Sequence, residues 1–433
     1  MEVNDEHEHE LAQVQECLNI ITFMHGGEKY PNRLEARARP NKRLVGVFGI
    51  LNVFTDDRSE NHGDFSKETT KRMREACKMS SKHDEGDWTD LQKLAIEYSE
   101  EYMHREGGKG SINLAELVQF ITLKLSLSYL FTDAKIAFRT KNAFDDITFI
   151  GHRINALWIE SKNLHGERPQ WEGQHDLHTS LRRVTSADSV DMPGSYTQET
   201  SKGTEPTIPE ENPLNFLLPA YETMWRVVLR CFIEVHLRET AKNAEWHLVL
   251  EDFFDELGSS NCMPGAFYKD SSTGLRPSDI AKESLRLYPP SRHVHRDFNG
   301  VLHRADIERC HKSKLLGSDD PRVFRPERWL KICPEQRAAK VVAPALKTET
   351  KALKNGEGKL GFMPFATYCT ADKVETKAFA MKMIVMLVAV LYNVLGKEWG
   401  LEDTVSLPQH GIPLWPDRAA YGDLILKRYS GMR

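Results

Sequence analysis

Three groups of residues in this chain have the types and spacing to do chemistry. The first is Glu283 and Arg286 in Ile280-Ala-Lys-Glu-Ser-Leu-Arg-Leu-Tyr-Pro-Pro290. Three residues apart on a helix, they share one face. Such a pair is ordinary on a wet surface. Here Leu285, Leu287 and Tyr288 surround it, and two prolines stop the helix. Arg328, in Phe324-Arg-Pro-Glu-Arg-Trp329, can close the pair into a buried triad. The second group is Pro219-Ala-Tyr-Glu-Thr223, in the middle of a helical apolar pattern at 214, 217, 218, 221, 225, 228, 229 and 232. Proline inside a helix removes a backbone hydrogen bond and kinks it. Glu222 beside Thr223 at such a kink could relay protons into an apolar pocket. The third is Cys369, a lone cysteine in Gly361-Phe-Met-Pro-Phe-Ala-Thr-Tyr-Cys-Thr-Ala371, followed by a long apolar helix. Unless it is simply a small buried apolar residue, its thiolate can ligate a metal.

The order of these motifs resembles the cytochrome P-450 family, the haem-thiolate monooxygenases. The likeness covers roughly residues 205–395 well and the first half loosely. It implies a role for each group. Cys369 would be the axial ligand of the iron of haem b, and a thiolate ligand favours O–O cleavage. The central helix of the family crosses the oxygen-binding face of the haem. It carries a small residue, any residue, an acid and a threonine, matched by Ala220, Glu222 and Thr223; Pro219 replaces the usual first small residue. Glu283, Arg286 and Arg328 would form the structural triad. Arg296, and after it Arg292, would face the haem propionates.

The cysteine loop departs from the family pattern. Phe362 stands seven residues before Cys369, as expected. Phe365, however, occupies the place of a glycine, and Thr367 that of a basic residue. A second register anchors on Pro364-Phe365 and Phe379-Ala380, with a shortened loop before Cys369 and a long stretch after it. The family's helix bearing a tryptophan and an arginine toward the propionates has no clear counterpart; His62 stands near that region. The chain also starts late, so part of the N-terminal sheet would be missing.

The rest of the chain bounds these readings. Its 433 residues suffice for a large core, and 40% apolar with 28% charged residues is ordinary for a globular protein. A net charge of −5 gives no support for nucleic-acid binding. Seven cysteines without close paired spacing point to neither a disulfide scaffold nor a zinc site. The acidic start has no signal-peptide pattern. The longest unbroken apolar run, Met383–Leu391, is nine residues, where a membrane span needs about twenty. The chain is therefore expected in the cytoplasm or peripherally on the endoplasmic reticulum, without an anchor.

Helical periodicity marks 88–105, 111–131 (capped by Ser111 or Asn113) and 135–162, the last with Ile147, Ile150, Ile154 and Trp158. Strand signals are few: Val45–Val53, Val294–Leu302 and Leu424–Tyr429. The segment 1–40 carries no clear assignment, and 163–210 and 331–360 read as polar loops or inserts. The expected fold is mainly α with a small β region, one domain over 1–433, with its N-terminal part incomplete.

The activity implied by the resemblance is monooxygenation of a small apolar organic molecule by molecular oxygen. Electrons would come from a separate reductase, since no flavin or nicotinamide fingerprint is present. The central-helix segment looks like fungal members, many of which act in secondary metabolism. The altered cysteine loop leaves one alternative, a haem-free relative acting as a binding or scaffold protein. A haem-thiolate isomerase or dehydratase is another, against which Glu222 and Thr223 argue.

Overall fold

The run Leu114–Leu130 is apolar on nearly every side and becomes a helix buried all round. Asn113 starts it, its Oδ1 accepting the Glu116 N–H at 3.1 Å. Of the two candidate caps, Asn113 is the one used; Ser111 begins a short strand. The one cation on this helix, Lys124, is buried in an ion pair with Glu101 and lies 4.6 Å from the Tyr98 ring centre. Helix Thr89–Glu106 packs alongside, with the Tyr98 and Ser128 hydroxyls 2.8 Å apart. Helix Ala143–Glu160 lies on another side and buries Ile147, Ile150, Ile154 and Leu157 completely.

The computed structural model describes residues 2–58, 60–80, 86–162, 167–186, 204–259, 265–317, 320–338, 346–366, 378–402 and 407–429. Among these, helix dominates and the sheets are small. The apolar helix Phe379–Leu395 runs through the core. It packs against Thr89–Glu106, Met224–Phe232, Asn243–Gly258 and Pro277–Leu287. With the turn that follows it, the stretch Phe379–Glu398 is long and apolar enough to cross a membrane, but 83% of its apolar window is buried inside the fold. Each fully buried leucine or valine there contributes about 1.5–3 kcal/mol.

Strand His293–Phe298 turns into Val301–Asp306 through Asn299 and Gly300, with φ of 55° and 83°. Two residues at positive φ give the tight turn that matches strand twist. A second sheet pairs Ile425–Arg428 with both Ser111–Asn113 and Trp399–Leu401. The N-terminal helix Glu2–Ile21 lies on the hairpin and on helix Ile307–His311, over a small core of Val14, Cys17, Ile21, Ile307 and Met363.

Several expectations are corrected. The strand expected at Val45–Val53 is instead helix Lys42–Phe48, ended by Gly49 at φ 59°. A Cβ on Gly49 would sit 2.1 Å from the Trp171 ring, so the close approach of Trp171 excludes any side chain there. The helix expected over 135–162 is split: a short turn, Ala134–Ala137, precedes Ala143–Glu160. The stretch 163–210 contains helix His175–Thr185, anchored by Arg183 on the buried carboxylate of Asp146. The stretch 331–360 contains helix Leu346–Lys359, whose Glu357 is buried in an ion pair with Lys282.

Candidate functional site

The site is built on the helical run from Leu214. An α-turn, Leu214–Leu217, passes into a π-turn, Leu218–Glu222, and then into helix Met224–Phe232. Pro219 has no N–H to give, so the ladder loosens there, as π-turns often do at functional sites. The Asn215 carbonyl that loses its partner takes the Asn52 side-chain amide at 3.1 Å, and the Thr223 hydroxyl donates to the Pro219 carbonyl at 2.9 Å. This is the kink expected from the sequence.

Beside the kink lies an apolar cavity. Pro219, Ala220, Thr223, Met224 and Val227 form one wall. Phe379, Ala380 and Ile384, from the start of the apolar helix, also line it, with Phe365. Helix Glu60–Ala76 adds Phe65, Thr69 and Met73, four residues apart and so on one face. This helix contains His62, whose side chain lies outside the described residues. The enclosed room is about 60 Å³, and no cation lines it among the described residues.

Cys369 and Thr367 lie outside the described residues. The chain on either side is described. Phe365 on one side and Phe379 and Ala380 on the other all line the cavity. These are the anchors of the second register. Phe362 does not line the cavity. Its N–H donates to the Glu357 carbonyl at 3.0 Å, and its ring packs on Trp329 and His311, centroids 4.7 and 5.4 Å away. Phe362 therefore belongs to the triad side of the fold, and Phe365 takes the place at the cavity.

Glu222 does not face the cavity either. Its buried carboxylate pairs with Arg418, approaches Arg226 Nε at 3.7 Å and accepts the Trp225 indole N–H at 3.3 Å. A carboxylate held by two guanidinium groups stays ionised. Of the motif, Ala220 and Thr223 remain at the cavity. Arg296 is buried over the Phe23 ring at 4.5 Å and donates to the His295 carbonyl. Arg292 is half exposed and pairs with Glu308. Neither lines the apolar cavity.

Helix Pro277–Leu287 has Leu285 on the cavity and two members of the triad, Glu283 and Arg286, among its other buried residues; Arg328 comes from the turn Pro326–Leu330. Glu283 accepts both prongs of Arg286 at 2.8 and 2.9 Å, Arg328 Nε at 2.9 Å, the Arg325 N–H at 2.8 Å and the Trp329 indole at 3.1 Å. Burial alone would raise this carboxyl; Arg286 and Arg328 hold it below its ordinary range. The remaining donors of Arg286 reach the carbonyls of His311, Pro321 and Val323. The three expected members thus meet, completely buried.

Known structures share the overall arrangement. It matches P450EX alpha, solved with myristic acid, at a TM-score of 0.50 and 14% identity, covering 92% of this chain and 85% of that one. It matches P450 OxyD, involved in the biosynthesis of vancomycin-type antibiotics, at 0.50 and 13%, covering 96% and 88%. This is the cytochrome P450 fold. The haem domain of a P450DA mutant matches equally well, at 0.50 and 11%, over 96% and 86%. No family model and no curated protein matches the sequence.

Sequence reasoning missed the arginines. Arg226 and Arg230 stand four apart on the otherwise buried helix Met224–Phe232. Two cations inside an apolar periodicity were the available signal.

Proposed function

We propose that this chain is a haem-thiolate oxidoreductase of the monooxygenase type, with Cys369 as the iron ligand and a small organic molecule as substrate. A separate reductase would supply electrons. The observation that carries this reading is the cavity that the kinked helix, through Ala220 and Thr223, shares with Phe365, Phe379 and Ala380 beside the cysteine segment. Its side-chain types suit a flat apolar cofactor; its closed size requires the walls to part for one. Haem held by a thiolate supplies oxygen activation when bound.

The chain's own residues have separable tasks on this reading. The triad fixes the backbone that leads to the cysteine segment. The phenylalanines exclude water. Thr223 holds the kink by donating to Pro219 and offers its oxygen as an acceptor at the cavity wall. The test is the spectrum of the reduced protein under carbon monoxide. A red-shifted thiolate band is expected in wild type, and Cys369→Ser should abolish it. An unchanged band in that variant would assign the ligand to another cysteine. Thr223→Ala should leave haem content unchanged and raise the peroxide released per reducing equivalent. Equal peroxide yield in an active wild type and the variant would remove Thr223 from the chemistry.

A haem-free binding protein is the second reading. The small cavity of about 60 Å³, with no cation on its wall among the described residues, favours it. Protein purified from haem-supplied cells and carrying no haem would decide for it.

A further inference from the structure

Beyond Thr223, Val227 and Pro290, which line both, the apolar cavity adjoins a second pocket of opposite character. Arg226, Arg230 and Arg292 line this pocket, with Glu308, Tyr288 and Pro416. The three cations differ in how they are held. Arg230 spends its donors on backbone carbonyls of Arg226, Trp415 and Asp417. Among the described residues no carboxylate bonds to it; Asp417 acts on it only through space. Arg292 uses Nε on Glu308, which Lys312 also holds at 2.6 Å. Arg226 uses Nε on the Glu222 carbonyl at 3.4 Å, and Glu222 is already paired with Arg418. Among the described residues, the terminal nitrogens of Arg226 have no hydrogen-bond partner, although its side chain is only 13% exposed.

The local charges do not balance. Arg226, Arg230, Arg292, Arg418 and Lys312 outnumber the carboxylates beside them, Glu222, Glu308 and Asp417. Burial and the neighbouring Arg292 pull Arg226 down to about 10, and burial with Arg226 does the same to Arg230. Cations crowded out of water are stabilised by an anion that enters between them. A guanidinium fork matches a carboxylate in geometry as well as charge.

We infer that the site takes an organic acid, its apolar body entering the cavity beside Ala220 and Thr223 as the walls part, and its carboxylate on Arg226, flanked by Arg292. This rests on the cavity being the substrate site. The half-exposed Arg292 marks the side from which the acid enters. The fixed charge of Arg230 favours acids over the corresponding alcohols without bonding to them.

Calorimetric titration of the full chain, as purified, tests this with hexanoate, decanoate and 3-phenylpropanoate against the matching alcohols. At least one acid should bind about tenfold or more tightly than its alcohol, the scale of one charge-assisted hydrogen bond. Arg226→Gln should bring the acid to the level of the alcohol and leave alcohol binding and haem content unchanged. The exposed Arg292→Gln, which spares the buried helix, should weaken the acid by about threefold, as a partly solvated charge does. No acid preference in any pair overturns the inference. So does Arg226→Gln that keeps the preference but loses haem, because the arginine then serves a tetrapyrrole propionate. Acid preference in protein that carries no haem would leave this inference standing while the reading as a haem enzyme falls.

Discussion

Arg286→Ala is expected to remove about 3–5 kcal/mol of stability, the scale for breaking a buried pair and leaving one charge alone. That is a large part of the 5–15 kcal/mol typical of a folded domain. The loss follows from what the guanidinium does. It fills two of the five hydrogen bonds to Glu283 and also satisfies the carbonyls of His311, Pro321 and Val323. Alanine leaves a fully buried carboxylate half-paired and three carbonyls without that donor. Arg286→Lys keeps the charge but not the fork, so it should recover only part of the loss. Urea unfolding of the three proteins measures it. A midpoint in Arg286→Ala equivalent to less than about 1 kcal/mol of change would reduce the triad to the worth of a surface bridge.

The triad was legible in the sequence because its logic is local. Glu283 and Arg286 are one helical turn apart, and the apolar neighbours and paired prolines around them already imply burial. Arg328 follows in a short segment whose tryptophan supplies a further donor to the same carboxylate. The kink was legible for the same reason: Pro219 alone dictates it. The ion pair of Glu222 was not, because its partner Arg418 comes from the far end of the chain. The arginine pocket is assembled from the central helix, the turn after Pro290 and the C-terminal loop, which no window of sequence shows together. Val45–Val53 misled by composition. Its β-branched residues suit a strand, yet Leu44, Val47 and Phe48 bury one helical face, and Trp171 demands a glycine at 49. Spacing alone did not show that the Phe362 ring packs on Trp329, because that partner comes from a separate segment.

Acid should weaken the fold well before the carboxylates titrate, through buried histidines. His311 is completely buried; burial, and then Arg286, pull it from 6.5 down to about 3. Its neutral Nε2 accepts the Met363 N–H at 3.0 Å, a bond that protonation would destroy. His236 is pulled to about 4 by burial and by His247. In both, the folded value lies below the unfolded one. The unfolded chain therefore binds protons below about pH 6.5 that the folded chain refuses. The stability is fully present above that pH and is lost as pH falls, at about 1.4 kcal/mol per unit for each histidine. By pH 4 the two together remove roughly 6 kcal/mol, and the lowered Glu283 carboxyl adds to the loss below its ordinary range. His178 and His247 are shifted in the same direction, also chiefly by burial. Urea midpoints between pH 7 and pH 4 should fall steadily. His311→Gln keeps an acceptor for the Met363 N–H and cannot titrate, so its profile should be flatter by about 1 kcal/mol per unit over that window. Parallel profiles for wild type and His311→Gln would mean that this histidine is protonated in the folded protein, and with it the close packing of Arg286, His311 and Phe362 would have to be given up.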